Sequence, residues 1–300
     1  MSNDSDFRCG FVAVIGRPNV GKSTMINAII GSKVSIVTPK PQTTRHRIVA
    51  VHNRDDAQIL FIDTPGLHNH ATKAMNRMMN KTAANAVSEA DLVLFLCEAN
   101  RWTKEDESAL NRVMASRIPT IAVLNKIDKV HPREVLLETI SDMDARGDFK
   151  EVVPLSAKHG DNLDRLLDLI PGFLPLSVPL FSDDMKTDRS EHFHITELIR
   201  EKLTLSLRQE VPYGLTVQIE RYVEEPEGVA INAIIWVERD SQKGIVVGKG
   251  GTHLKRVGRE SRLELKQKLG VPVHLELWVK VKDNWADNEK ELLRLGYESP

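Results

Sequence analysis

Gly16-Arg17-Pro18-Asn19-Val20-Gly21-Lys22-Ser23 has the form G-x-x-x-x-G-K-[ST]. Glycines in such a stretch let the backbone curl until successive N–H groups face one anion. A helix that starts there adds the partial positive charge of its N-terminus. The chemistry this suits is polyphosphate binding. Lys22 can reach β- and γ-phosphates, Ser23 can hold Mg²⁺, and Thr24 follows at the helix start. Asp63-Thr64-Pro65-Gly66, with Leu67 next, supplies a second phosphate element. An acidic residue at a strand end binds Mg²⁺ directly or through water. A glycine amide approaches a γ-phosphate without steric hindrance. Thr43 and Thr44 lie in the polar stretch 38–47. Either could complete Mg²⁺ coordination, and we favour Thr44.

Asn125-Lys126-Ile127-Asp128 carries different information. A carboxylate at 128 can accept hydrogen bonds from the N1–H and exocyclic amine of guanine. Adenine offers neither donor in that arrangement. A site built around a buried polar partner rejects the analogue lacking it by about 10⁴-fold or more. Ser156-Ala157-Lys158 adds a backbone N–H that can meet guanine O6. Together these segments specify GTP and GDP with Mg²⁺.

Hydrolysis requires a positioned water. The residue after Asp63-Thr64-Pro65-Gly66 is Leu67, whose apolar side chain cannot orient one, so slow intrinsic turnover is expected. Lys22 and Thr44 are the candidate catalytic groups, together with Asn19. Asn19 either holds K⁺, replacing the charge of an arginine finger, or shapes the loop.

Each motif needs a strand end to hold it. Apolar runs at 11–15, 59–62, 92–96, 120–124 and 152–155 precede the motifs or lie between them. Helix-like segments at 22–30, 73–88, 104–115, 132–145 and 162–174 alternate with the runs. Apolar strands alternating with helices indicate a parallel sheet covered on both faces. Open α/β sheets bind ligands at the carboxyl ends of their strands, where these motifs fall.

The chain has 300 residues, 41% hydrophobic and 28% charged, which suits about two globular domains. Net charge is −1, so any nucleic-acid footprint must be local. Cys9 and Cys97 sit in apolar runs without metal spacing and read as reduced core thiols. The start, 1–6, is polar and acidic and does not read as a signal peptide. No apolar run approaches the ~18 residues of a membrane span.

Pro171, Pro175 and Pro179 mark a linker. Beyond it come a helix at about 194–209, strands at 215–223 and 229–238, a glycine-rich loop, a basic helix and a strand at 273–281. The loop is Gly248-Lys249-Gly250-Gly251, a G-x-x-G. From 243 to 268 eight basic residues, among them Lys255, Arg256 and Arg259, face two acidic ones. Such a patch is an electrostatic footprint for nucleic acid. Glycines let an RNA backbone approach, and KH domains clamp about four nucleotides this way.

The five nucleotide motifs resemble those of the translation-factor-like GTPases over about 10–175, and the second half resembles a type II KH domain. Pro41-Gln42-Thr43-Thr44-Arg45-His46-Arg47 together with His274-Leu275-Glu276-Leu277-Trp278-Val279-Lys280-Val281 and the tail Trp285-Ala286-Asp287 makes the whole chain similar to the bacterial Era-type GTPases. The resemblance implies a Ras-like, mostly parallel α/β domain at 8–176, a linker at 177–192, an α+β type II KH domain at 193–284 and a tail at 285–300. It further implies binding to the 3′ end of small-subunit ribosomal RNA and a role in small ribosomal subunit maturation. A cytoplasmic, mainly monomeric protein with weak peripheral inner-membrane association is implied as well. The expected mechanism is a switch, in which GTP and Mg²⁺ order 38–47 and the segment after Asp63, and so change RNA affinity. A non-enzymatic RNA scaffold and a P-loop ATPase or kinase are the competing readings, the latter opposed by Asp128.

Overall fold

The computed structural model describes residues 6–66, 73–207 and 211–297. Leu67 and the end of the helix expected to reach residue 209 lie outside the described residues.

A six-stranded sheet has the order β2-β3-β1-β4-β5-β6. Its strands are β1 (Arg8–Ile15), β2 (Ile48–Asn53), β3 (Ala57–Asp63), β4 (Leu92–Glu98), β5 (Thr120–Asn125) and β6 (Glu151–Pro154). Only β2 is antiparallel; it folds back on β3. The central strands are mostly apolar because helices cover both faces, and every residue of β3 is buried, Gln58 and Asp63 included. Those helices are α1 (Lys22–Ile30), α2 (Ala74–Ser88), α3 (Lys104–Ser116), α4 (Val135–Asp144) and α5 (Leu163–Leu169). The expected helix 162–174 stops short: α5 gives way to a 3₁₀ turn at Ile170–Phe173, where Pro171 lacks the N–H an α-helix requires. Both cysteines are free and buried, and burial pushes the Cys97 thiol up to about 12.

A second sheet, β7-β8-β9, pairs β7 (Leu215–Glu225) antiparallel and β9 (Val273–Val281) parallel to β8 (Gly228–Val237). One face is covered by α6 (Glu191–Ser206) and α8 (Thr252–Leu269), with α7 (Asp240–Val247) alongside. Leu198, Ile199, Leu203, Val257 and Leu265 supply the buried stripe. The order helix, strand, strand, helix, helix, strand is the expected one.

The stretch read as a linker is ordered against the first sheet. Val51 N donates to Lys186 O (3.0 Å) and Asp188 N to Val49 O (3.1 Å), so this segment covers the free edge of β2. An uncovered edge strand invites pairing with other chains, and here the chain's own backbone occupies it. The tail is also docked. Trp285, Leu292 of α9 (Glu289–Arg294) and Tyr297 form a buried cluster with Met75 and Met79 of α2.

Candidate functional site

The loop between β1 and α1 borders a cleft of about 600 Å³, which Lys22, Ser23, Thr24, Thr44, Gly66 and Lys126 also line. Gly21 has φ 108°, and a Cβ there would stand 2.2 Å from Asn125 Nδ2. Only glycine fits. Lys22 is 6% exposed, and its ammonium donates to Gly16 O (2.9 Å) and Arg17 O (3.1 Å). Burial pushes its pKa down to about 8, Asp63 opposing and Arg17 reinforcing the effect. An anion in the cleft would restore the charge that burial disfavours.

Asp63, at the end of β3, is fully buried, and burial raises its pKa. Its Oδ2 accepts from Ser23 Oγ (2.7 Å), and Ser23 Oγ lies 2.9 Å from Thr44 Oγ1. Asp63 Oδ1 is buried with no hydrogen-bond partner. Three convergent oxygen side chains, one with an unsatisfied carboxylate oxygen, fit a hard divalent cation. Thr43 is used differently. Its hydroxyl meets Thr38 Oγ1 (2.6 Å) and Lys40 O (2.7 Å) within the loop, so of the two threonines Thr44 faces Ser23.

The base segment follows β5. Asn125 Nδ2 donates to Val20 O (2.7 Å), and its Oδ1 accepts from the Lys126 and Ala157 amides at 2.7 and 3.0 Å. The Ala157 amide offered to a base oxygen is therefore shared with Asn125. Asp128 Oδ1 accepts from the buried Ser156 hydroxyl (2.8 Å), which holds the carboxyl below the usual carboxylate range. Asp128 is ionised at neutral pH and can only accept.

Three site residues from the sequence turn their side chains elsewhere. Val20 is packed in the core, and Thr64 Oγ1 donates to Val14 O (2.9 Å). The buried Arg17 guanidinium meets Asp106 (2.9 Å) and Glu98 (3.2 Å), away from the cleft. Each can offer the cleft only its backbone. Glu98 also pairs with Lys126, whose Nζ donates to Asn19 O (2.7 Å). Arg17 and Glu98 thus join the phosphate loop to the base segment. Asn19 is left-handed (φ 65°), and its Nδ2 donates to Pro39 O (2.9 Å).

The loop 38–47 bridges both units of the molecule. The Arg45 guanidinium, buried, donates to Leu215 O (2.7 Å), Pro212 O (2.8 Å), Tyr213 O (3.3 Å) and Tyr297 Oη (3.3 Å). Arg200 donates to Thr43 O, and Val37 N donates to Glu201 Oε1 (3.0 Å). The start of α2 is held as well, Ala74 N donating to Asp287 Oδ1 (2.7 Å). Sequence reading missed Arg45 and Arg200, which bridge the loop to the second sheet and α6, and Glu98, which pairs with Arg17 and Lys126. The one available signal was the polar run containing Arg45, which gives no partner.

His46 stacks on Tyr297 (4.6 Å) and meets Phe193 edge-on (5.2 Å). Burial, with Arg200, Arg189 and Arg45 adding repulsion against the pull of Glu197, lowers its pKa from 6.5 to about 4. The unfolded chain therefore binds this proton first. The stabilisation is whole above about pH 6.5 and declines as pH falls toward 4. The expected loss is about 2 kcal/mol by pH 5. Denaturant melts at pH 7 and pH 5 check it, and His46→Gln should shrink the difference by about that amount; His194, lowered to about 4 in the same way, keeps its own share.

The G-x-x-G loop links α7 to α8. Gly248, Gly250 and Gly251 have φ of 73°, 61° and 77°, a left-handed path that side chains rarely adopt. His253 Nδ1 lies 2.8 Å from Val246 O, bracing the loop from inside. Lys249, Lys255, Arg256 and Arg259 are exposed.

The family model described as 50S ribosome-binding GTPase matches residues 11–126, and a KH domain model matches 210–286. The chain is 46% identical over 299 residues to GTPase Era of Vibrio parahaemolyticus serotype O3:K6, covering 99% of this chain and 93% of that protein. It is 45% identical over 298 residues to GTPase Era of Stenotrophomonas maltophilia, covering 99% and 100%. Among solved structures, Era in complex with MgGDPNP and nucleotides 1506–1542 of 16S ribosomal RNA superposes with a TM-score of 0.94 at 39% identity, covering 97% of this chain and 99% of that one. An Aquifex aeolicus Era variant bound to GDP and AlF4⁻ gives 0.93, also at 39% identity and with the same coverage. With sequence similarity over nearly its entire length, and the same arrangement of sheets and helices, the chain belongs to the Era family of GTPases.

Proposed function

We propose that this chain binds GTP in the cleft, hydrolyses it slowly to GDP and phosphate, and uses the change to control its hold on small-subunit ribosomal RNA during assembly of that subunit. The observation that carries this reading is the meeting of Ser23, Thr44 and Asp63 beside Lys22, on the same sheet edge as an ionised Asp128. Ser23, Thr44 and Asp63 would hold Mg²⁺, which when bound supplies positive charge to the phosphate oxygens. Lys22 offsets the charge that develops on the β- and γ-phosphate oxygens as the terminal phosphoryl group leaves. Amides within 16–24, Pro18 excepted because it has no N–H, and that of Gly66 orient the phosphates, and Asn125, Lys126, Asp128, Ser156 and Ala157 orient the base. Asn19 is assigned either to K⁺, as a source of the remaining charge, or to shaping the loop; it lines the cleft, and its Nδ2 donates to Pro39 O.

RNA is assigned to Gly248-Lys249-Gly250-Gly251 with Lys255, Arg256 and Arg259. The relative solved with a 16S ribosomal RNA fragment supports small-subunit RNA as the partner. The division at 176, 192 and 284 is kept as the working domain map, although 177–192 is packed against β2. The reading includes a cytoplasmic, mainly monomeric protein with peripheral inner-membrane contact; among the described residues no helix is long and apolar enough to cross a membrane.

Phosphate release measured in K⁺ and Na⁺ buffers, with and without RNA, tests the assignment. Slow release, faster in K⁺ and at least about 100-fold lower in Lys22→Ala, is expected. Equal rates in the two ions would remove K⁺ from the scheme. No release under any condition would favour a nucleotide-sensing scaffold.

A further inference from the structure

The segment 37–43 is fastened to α6 along that helix. The Val37 amide donates to Glu201 Oε1 (3.0 Å), the Arg200 guanidinium to Thr43 O, and the Lys40 ammonium to Leu207 O. Leu207 caps the C-terminal end of α6, whose last turn has no basic residue of its own. The cation that the helix dipole favours at that end comes from the loop instead.

One residue before this cap, α6 meets the glycine loop. Ser206 Oγ lies 3.0 Å from His253 Nε2, and His253 Nδ1 lies 2.8 Å from Val246 O. Val246 is fully buried, two residues before Gly248. His253 also packs on the loop backbone, since a Cβ on Gly248 would stand 2.7 Å from the His253 Cβ. The ring therefore spans from the end of α6 to the inside of the G-x-x-G turn. Another polar link between α6 and α8, Lys202 with Glu264, lies about three turns further along α8.

Counting donors makes this junction two-state. Val246 O only accepts, so Nδ1 carries the hydrogen, and in the neutral ring Nε2 is an acceptor. The Ser206 hydroxyl is its donor. That hydroxyl also lies 2.7 Å from Lys202 O and 3.1 Å from Leu203 O within its own helix. It has one hydrogen, so it serves either α6 or the ring. Leu203 O already accepts from the Leu207 amide (2.9 Å), the residue whose own carbonyl Lys40 holds. The placement of the end of α6, fixed by Lys40, decides which partner Ser206 takes.

We propose that Ser206 and His253 form a relay that carries the state of the 38–47 loop through the end of α6 to the G-x-x-G turn, with His253 as a positioning residue for the RNA clamp. The inference rests on the nucleotide-switch reading of 38–47 and names the route by which that switch reaches the second domain. Arg45 anchors the same loop to the start of β7, upstream of the relay. The contacts are contiguous from Lys40 to Gly248, and the hydroxyl is the element with two arrangements that such coupling requires.

The test uses the full chain with Mg²⁺ and a single-stranded 3′-terminal fragment of small-subunit ribosomal RNA. RNA affinity is measured with GDP and with a non-hydrolysable GTP analogue for wild type, Ser206→Ala, His253→Asn and the double variant. Asparagine can still donate to Val246 O but is too short to reach Ser206, so it keeps the brace and cuts the relay. Each single variant is expected to bring the ratio of the two affinities, about 5 or more in wild type, down to about 1. The double variant should add nothing further, because both changes break one link. The effect of RNA on nucleotide affinity should fall by the same factor, while nucleotide affinity without RNA stays at the wild-type value. Equal weakening of RNA binding in both nucleotide states with the ratio intact would make His253 a structural brace only and overturn the relay. A ratio and affinities unchanged in both single variants would overturn it as well. A wild-type ratio of 1 would sink the switch reading and the relay together.

Discussion

Asp128→Asn is expected to lower GTP affinity by about 10⁴-fold relative to xanthosine triphosphate, turning a guanine site into a xanthine site. The carboxylate accepts from two donors on the guanine edge. An asparagine amide presents one acceptor and one donor group, which complements the extra carbonyl of xanthine. The fold should be unaffected, because Asp128 lies in a short turn after β5 and the amide oxygen can still accept from Ser156 Oγ, 2.8 Å away in the native chain. Competition binding with GTP, XTP and ATP reads the result. A variant that keeps wild-type preference for GTP would mean that base selection lies elsewhere, with Asn125, Lys126 and the 156–158 turn the next candidates.

Arg45→Ala should uncouple the nucleotide cleft from the second domain. The guanidinium joins the residue after Thr44 to three carbonyls just before and at the start of β7, and to the tail at Tyr297. Removing it leaves Leu215, Pro212 and Tyr213 oxygens without that donor, and leaving a buried acceptor unsatisfied costs about 1–3 kcal/mol. Lysine should not rescue, since one ammonium cannot reproduce the planar fork. Nucleotide binding itself should change little, because the Ser23–Thr44–Asp63 contacts do not involve Arg45. What should vanish is the ratio of RNA affinities measured with GDP and with a non-hydrolysable GTP analogue, falling to about 1. Reciprocity then requires RNA to lose its effect on nucleotide affinity by the same factor. An undiminished ratio in Arg45→Ala would place the coupling in another contact, the α2–tail cluster being the next one available.

The motifs around the cleft were readable from the sequence because each is local. A strand end, a turn and a helix start specify where Lys22, Asp63 and Asp128 stand, and the apolar runs before them are long enough to mark buried parallel strands. The glycine loop and its basic helix were readable for the same reason. The structure adds what local patterns cannot carry. Arg45 finds its acceptors about 170 residues away in the chain, and Trp285 packs under α2 across some 200 residues. Nothing in the run 38–47 names either partner. The choice between Thr43 and Thr44 turned on which hydroxyl the loop spends on itself. The role of Arg17 was hidden by its motif, whose consensus leaves that position open while Asp106 and Glu98 come from two other elements. Pro-rich spacing around 171–179 correctly announced an irregular segment, yet its docking on β2 depends on an edge strand whose own signal is weak.

Isothermal calorimetry of the folded protein with magnesium bears most directly on the claim that the cleft beside Lys22 takes a polyphosphate whose base Asp128 selects. Saturable heats for GTP and GDP, none for ATP under the same conditions, and loss of the GTP signal in Lys22→Ala are the predicted results. Absence of heat for both guanine nucleotides, or tighter binding of ATP, would contradict it.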